Sequence, residues 1–330
     1  MAPKLPSASR NGAIAALFVV MWSSGFIGAG LGTAVSSAVT ILMWRFIAVA
    51  AVLLSLQFLV RRRRMTPRAI AVQALIGLFS QSVYLYSMFS AIDLGVTSGI
   101  VSLIDALQPI CASALAGLVL GERTSGRQRL GLGVGLAGVA VVIAGDVGLH
   151  TEAPAWAYLV PFAGMVALTV ATLIERKARL ETPLMDSLAI QCGASALFFS
   201  VVGLATGQAA MPTESQAWLA ILWLIALSTL AGYGLYWYIL KRRGVTYVSS
   251  LIYLTAPATL VWGFFMFGDA ISLLSAVGIA VCVAGVALVH SRHASDAAPL
   301  LEEPPRPADE PEAARSTLAA GPDSRRGAPS

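Results

Sequence analysis

Arg45 and Asp105 are the two charged residues that fall deep inside long apolar stretches of this 330-residue chain. A charge at the centre of an apolar helix costs about 2.5–3.5 kcal/mol on insertion scales, so such residues face a cavity or a partner. The two signs are opposite. Each residue sits seven or eight positions in from the same edge of its stretch, roughly 11 Å below one surface at about 1.5 Å per residue. Equal depth permits an ion pair clamping two helices. It equally permits Asp105 to line a cavity and exchange a proton. Burial disfavours a charged carboxyl and a nearby cation favours it, so an arriving solute would tip that balance and couple proton uptake to its own movement.

Other side chains gather near these charges in the sequence pattern. A proline inside a helix removes a hydrogen bond and pushes on the carbonyl four residues back. Pro109 acts on Asp105 in this way and Pro257 on Tyr253, so both prolines are candidate hinges. Gln81, Tyr84 and Ser87 share one side of a helix, and Gln108 follows Asp105 by three. Tyr233 and Trp237 share a face, Thr255 is close to Tyr253, and Trp22 lies in the first apolar stretch. Together they predict a wall suited to a small amphipathic solute, with aromatic rings stacking on or capping a cation. The plainer alternatives are interfacial anchoring for the Tyr and Trp residues and simple packing kinks for the prolines.

Several chemistries find no support. Cys111, Cys192 and Cys282 lie far apart in apolar stretches without a CxxC pair, as small packing residues do. His150, His290 and His293 sit at the ends of stretches, so no metal site emerges. Gly25, Gly28, Gly30 and Gly32 lie in an apolar run with no strand before it, which suits close helix packing and not a nucleotide loop. No cofactor is expected, and neither is nucleic acid.

The elements that must hold these residues follow from composition. The chain is 57% hydrophobic and 12% charged, against about 25% charged for a soluble domain. Its surface must face hydrocarbon. Ten stretches approach the roughly 20 apolar residues that span a bilayer as a helix: 12–32, 38–60, 69–91, 97–120, 126–145, 154–174, 183–206, 215–240, 246–267 and 272–291. They are called spans one to ten below. Backbone groups in lipid must bond within their own segment, which dictates helices. The first span is too long for a cleavable signal peptide and is followed at once by another.

Basic residues fix an orientation. Arg61–Arg64 and Arg68 follow span two, and Arg123, Arg127 and Arg129 follow span four. Arg176, Lys177 and Arg179 follow span six, and Lys241, Arg242 and Arg243 follow span eight. The alternate connections carry Asp93, Asp146, Glu152, Glu214 and Asp269 and no Lys or Arg. Under the positive-inside rule both termini are cytoplasmic and the span count is even. The net charge of +5 therefore reads as a topology signal.

The chain also repeats itself. Gly95-Val96-Thr97 matches Gly244-Val245-Thr246, and Pro109 matches Pro257. Gly121-Glu122 matches Gly268-Asp269, and Gly131 and Gly138 match Gly278 and Gly285. Each half holds five spans, so the halves enter the membrane with opposite orientation. Inverted repeats of this kind are typical of secondary transporters, with the substrate between the halves near the midplane. The expected organisation is an all-α membrane protein of ten transmembrane helices. It has an N-terminus at 1–11, one five-helix repeat at 12–145, a second at 154–291 and a disordered cytoplasmic tail at 294–330.

These features resemble the ten-helix EamA-type exporters of the drug/metabolite transporter superfamily. The resemblance rests on Trp22-Ser23-Ser24-Gly25-Phe26 and Arg45-Phe46, on Ala91–Gly99 leading into span four, and on Pro109 followed by Leu120-Gly121-Glu122-Arg123. A weaker version ends at Phe267-Gly268-Asp269, and the likeness covers about residues 12–290. Members often carry an acid just before the span-four proline, where this chain has Gln108. The resemblance implies export of amino acids, other metabolites or drugs across a bacterial inner membrane, by a monomer or homodimer. No Walker-type loop is present, so an ion gradient, exchange or downhill flow would drive it. A receptor or scaffold without transport, and a membrane-embedded enzyme, are the alternatives. The enzyme reading lacks the second deep acid that aspartyl chemistry needs.

Overall fold

The structure, a computed structural model, describes residues 7–59, 65–108, 110–112, 115, 126–147, 153–180, 182–269 and 272–290. Pro109, Gly121, Glu122, Arg61–Arg64, Arg123 and the tail at 294–330 lie outside them. All regular structure among the described residues is helical. Among the described residues six helices are long and apolar enough to cross a membrane: Gly12–Thr33, Ala38–Leu56, Pro67–Asp93, Ala155–Glu175, Leu184–Ala205 and Ser215–Tyr236. Shorter apolar helices, Ser98–Asp105, Gly133–Gly145, Leu251–Phe267 and Leu273–Ala284, occupy the remaining apolar stretches. Large apolar side chains point outward, with Leu204 74% and Leu273 84% exposed, as a hydrocarbon-facing surface requires.

In chain order the helices are α1 (Ser7–Thr33), α2 (Ala38–Leu59), α3 (Pro67–Gly77), α4 (Tyr84–Asp93), α5 (Ser98–Asp105) and α6 (Gly126–Val147). They continue as α7 (Val160–Ala178), α8 (Leu184–Ala205), α9 (Ser215–Trp223), α10 (Tyr233–Tyr253), α11 (Thr255–Phe267) and α12 (Leu273–His290). Local chemistry sets many boundaries. Thr66 accepts from the Ala69 amide at 3.2 Å and Pro67 follows at the first helical position. Ser37 and Ser272 cap α2 and α12 in the same manner. Gly268 ends α11 at φ 73°, a left-handed conformation that a residue without Cβ takes at little cost.

Ala155–Leu159, ahead of α7, is a 3-10 helix, and two longer helices widen in the middle. Leu78–Val83 joins α3 to α4, and Leu224–Gly232 joins α9 to α10, both as π-helix. Span three and span eight are therefore continuous helices with a widened middle. Such segments are rare and concentrate at functional sites.

The expected connection after span eight also differs. Helical turns run on through Lys241–Gly244 to Tyr253. The chain nevertheless reverses there. Trp22 packs on Tyr233 at 5.3 Å, while its neighbour Ser23 donates to the Thr255 carbonyl at 3.1 Å. A straight helix would hold residues 233 and 255 about 33 Å apart. Hydropathy marks where a chain leaves lipid, not where its helical hydrogen bonding stops, so the turn kept helical geometry without a sequence signal.

Small residues let the helices approach. A Cβ on Gly138 of α6 would lie 2.7 Å from the Gly278 carbonyl of α12, and one on Gly278 would lie 2.7 Å from the Gly138 carbonyl. Gly25 and Gly28 of α1 face Ser228 and Leu224 of the second π segment. Phe46 of α2 stacks on Phe199 of α8 at 5.8 Å with an interplanar angle of 6°. The buried core runs between these contacts through Ile41, Leu42, Met88, Ile104, Leu107 and Leu224.

Candidate functional site

Arg45 enters the interior from the middle of α2 and is 5% exposed. Its Nη2 donates to Thr229 Oγ1 at 3.0 Å. The Thr229 hydroxyl in turn donates to the Leu224 carbonyl five residues back, at 3.0 Å, spanning the wide turn of the second π segment. The guanidinium carbon lies 5.5 Å from the Phe46 ring centroid. The Arg45 Nε has no hydrogen-bond partner among the described residues.

Two cavities meet at this side chain. The smaller, about 70 Å³, has Trp22, Phe26, Tyr84, Phe89 and Tyr233 in its wall along with Arg45. The larger, about 370 Å³, is lined chiefly by apolar groups such as Val49, Leu53, Leu188 and Ile225. Gln81, Cys192, Thr229 and Tyr233 add polar atoms around Arg45 at its head. Arg45, Leu85 and Tyr233 belong to both. The larger volume falls within the range of about 300–1,000 Å³ usual for small-ligand sites.

The π segments position the aromatic walls. Tyr84 and Tyr233 are the residues that immediately follow them. Val83 and Gly232, where the segments end, are 149 positions apart, and so are the two tyrosines. That is the spacing at which the sequence repeats. Neither segment is detectable from hydropathy, but the repeat pairs Tyr84 with Tyr233. Comparing polar residues across the repeat would have found that pair.

The charged residues do not pair with one another. Asp105 ends α5, is 7% exposed and hydrogen-bonds the Tyr84 hydroxyl. Its Oδ1 has no hydrogen-bond partner among the described residues. It stands behind Tyr84 and is not itself in the wall of either cavity. Gln108 is half-buried just beyond Asp105 and also outside both walls. Tyr253 and Thr255 are buried at the junction of α10 and α11, where the Thr255 carbonyl accepts from Ser23 of α1. The helix is interrupted at Leu254, between Tyr253 and Pro257, which has no N–H to continue the helical hydrogen bonding. The Trp237 side chain lies outside the described residues. Of the residues singled out from sequence, Trp22, Arg45, Gln81, Tyr84 and Tyr233 are therefore brought together.

A polar ladder continues from Gln81 towards the end of the bundle that carries Thr66 and Thr182. Gln81 donates to Gln191 at 3.1 Å, Gln191 to Gln73 at 2.8 Å, and Gln73 to Thr182 at 3.0 Å. Thr182 shares a 2.7 Å hydrogen bond with Ser187. Ser82 and Ser195 join the same two helices at 3.1 Å. Amides scattered in apolar stretches give no sign of their partners in sequence, so Gln73 and Gln191 were missed. Interhelical hydrogen bonds in lipid are worth about 0.6 kcal/mol on average and about 1.7 at most. Gln191→Leu removes two of them and strands Gln81 and Gln73, so a loss of about 1–3 kcal/mol is expected. A lowered melting temperature of the purified protein is the measurement.

Comparison with known proteins agrees with this architecture. The EamA-like transporter family profile matches residues 11–144 and again 155–291. A probable terminal-alkyne amino-acid exporter of Streptantibioticus cattleyicolor is 28% identical over 281 residues, covering 84% of this chain and 92% of that protein. A probable amino-acid metabolite efflux pump of Escherichia coli K12 is 23% identical over 287 residues, covering 84% and 93%. The uncharacterized inner membrane transporter YedA of the same strain is 24% identical over 284 residues, covering 84% and 89%. A crystal structure with a TM-score of 0.59 and 23% identity covers 88% of this chain and 99% of its own, so the fold is shared.

Proposed function

The chain belongs to the EamA-like transporter family of the drug/metabolite transporter superfamily, and from that premise we propose that it is a secondary active exporter of small metabolites. It is a multi-pass membrane transporter. Amino acids and amphipathic drugs are the proposed substrates, a bacterial inner membrane the proposed location. One observation carries the reading. The cavities around Arg45 lie where the two family-matched halves meet, with Trp22, Arg45 and Tyr84 from the first and Thr229 and Tyr233 from the second.

In this proposal the units 12–145 and 154–291 are inverted five-helix repeats that rock about the site, opening it to one side and then the other. The π segments at matching places support that reading, because a widened turn is an economical place for a helix to flex. Both termini are cytoplasmic. Single cysteines placed after Glu122 and after Asp269 are expected to label from opposite sides of the membrane. Labelling of both from one side would rule out inversion.

Proton antiport is the proposed coupling, with Asp105 as the exchanging group acting through Tyr84. The test is efflux from proteoliposomes loaded with amino acids, N-acetylated amino acids and amphipathic amines, with and without an imposed proton gradient. The wild type is expected to expel solute against its gradient. Asp105→Asn is expected to retain downhill flux and lose the response to the proton gradient. An Asp105→Asn protein that still accumulates solute fully would remove the coupling role, and absence of any flux in the wild type would remove the transporter proposal.

A further inference from the structure

We propose that the solute held at this site is a monoanion: a single carboxylate docks on Arg45 and an apolar tail fills the larger cavity. The inference rests on the transporter reading and places N-blocked amino acids and amphipathic acids ahead of free amino acids and amines as its substrates. Arg45 supplies the charge that asks for an occupant. It is nearly fully buried, and its Nη2 donates to a neutral hydroxyl, Thr229 Oγ1. A guanidinium presents five N–H donors in a fixed fork that matches a carboxylate. Here the Nε–H of that fork lacks a partner among the described residues, and the side chain borders both cavities.

The surroundings favour an anion over the alternatives. Arg45 is the one charged residue among the described residues lining either cavity. Asp105, the nearest deep acid, is engaged with Tyr84 and outside both walls. A cationic solute would meet an unmatched guanidinium and find no carboxylate in the wall. A zwitterion would satisfy Arg45 with one end and leave its ammonium among neutral wall groups, with no carboxylate to meet it. A dianionic phosphate ester would carry one charge more than the wall matches. The larger cavity, whose wall does not include Trp22, is lined by Val49, Leu53, Leu188 and Ile225 and suits a hydrocarbon or aryl tail. Burial of that tail supplies affinity, and the guanidinium supplies the choice of head group.

Three solutes with one tail and different heads test this. N-acetylphenylalanine is an anion, phenylalanine a zwitterion and phenylalaninamide a cation. Binding to the full-length protein in lipid nanodiscs is read by tryptophan fluorescence, with Trp22 in the wall as reporter. N-acetylphenylalanine is expected to bind at least about tenfold tighter than phenylalaninamide, with phenylalanine weaker than the anion. Arg45→Lys is expected to weaken the anion about tenfold, and Arg45→Gln to erase the difference between the three. The series on the wild type decides by itself if a variant does not fold. Equal or tighter binding of phenylalaninamide overturns the proposal. Counterflow of the same solutes in proteoliposomes separates the two levels. Flux without any preference for the anion overturns this inference and leaves the transporter reading standing. Anion-selective binding without flux of any solute supports this inference and overturns that reading.

Discussion

Arg45→Met should lower efflux about 10- to 100-fold and, in the same protein, raise thermal stability. The two effects have one cause. A hydrogen bond to a charged group is worth about 1.5–3 kcal/mol, and about 1.4 kcal/mol is a factor of ten in rate. Losing the guanidinium removes that contact from the solute. In the empty protein the same guanidinium is a buried charge that donates to a neutral Thr229 hydroxyl. Replacing buried charges with apolar groups of similar volume often stabilises by about 1–4 kcal/mol. Thr229 keeps its bond to the Leu224 carbonyl, so the substitution orphans no hydroxyl. Efflux from proteoliposomes and the melting temperature would be measured on one preparation. A purely structural Arg45 would lose both together; a falling rate with a rising melting temperature separates function from scaffold. Such a trade is expected wherever a site is kept unsatisfied for its ligand.

How far the sequence reaches is visible at this residue. Apolar length and charge identified Arg45 and Asp105 as deep, because insertion energetics depend on position along a helix. They said nothing about rotation of that helix. Equal depth made an Arg45–Asp105 pair geometrically possible, yet Arg45 reaches Thr229, 184 positions away, and Asp105 reaches Tyr84. Which faces meet is decided by packing, here by Gly25 and Gly28, which let α1 close on the second π segment. The apolar stretches were legible because the bilayer reads them as continuous averages. The π segments were not, since one extra residue per turn leaves hydropathy unchanged. Tyr253 and Thr255 were drawn to the site by the repeat alignment, and they lie instead against α1 beside Ser23. Repeat symmetry relates backbone positions, and the side chains at those positions have diverged in what they touch. The tyrosine pair is where backbone and side chain still agree.

The glycines of α6 give the sharpest contrast in stability, because one helix carries both extremes. Gly138→Ala should destabilise the protein by about 1–3 kcal/mol, as expected for overpacking. The added Cβ would stand 2.7 Å from both the Cys282 amide nitrogen and the Gly278 carbonyl oxygen of α12. Those are backbone atoms, so no rotamer change relieves the contact and the two helices must separate. Gly133→Ala has the opposite sign. Nothing lies within 4 Å of a Cβ there, and Ala in a helix is favoured over Gly by about 0.8–1.0 kcal/mol. Gly278→Ala should resemble Gly138→Ala, since its Cβ would stand 2.7 Å from the Gly138 carbonyl. The double variant should cost less than the two singles together, because one separation of α6 from α12 relieves both clashes. Cys111, Cys192 and Cys282 are buried free thiols, so a thiol-reactive dye reports melting without added labels. Cys282 lies at this interface, donating to the Gly135 carbonyl at 3.3 Å. It should become reactive first in the Gly138 and Gly278 variants, and in step with the other two in Gly133→Ala. Equal melting of Gly138→Ala and Gly133→Ala would mean that α6 and α12 do not approach as closely as their glycines allow. The last helices of the two halves would then be free to slide where this structure has them locked.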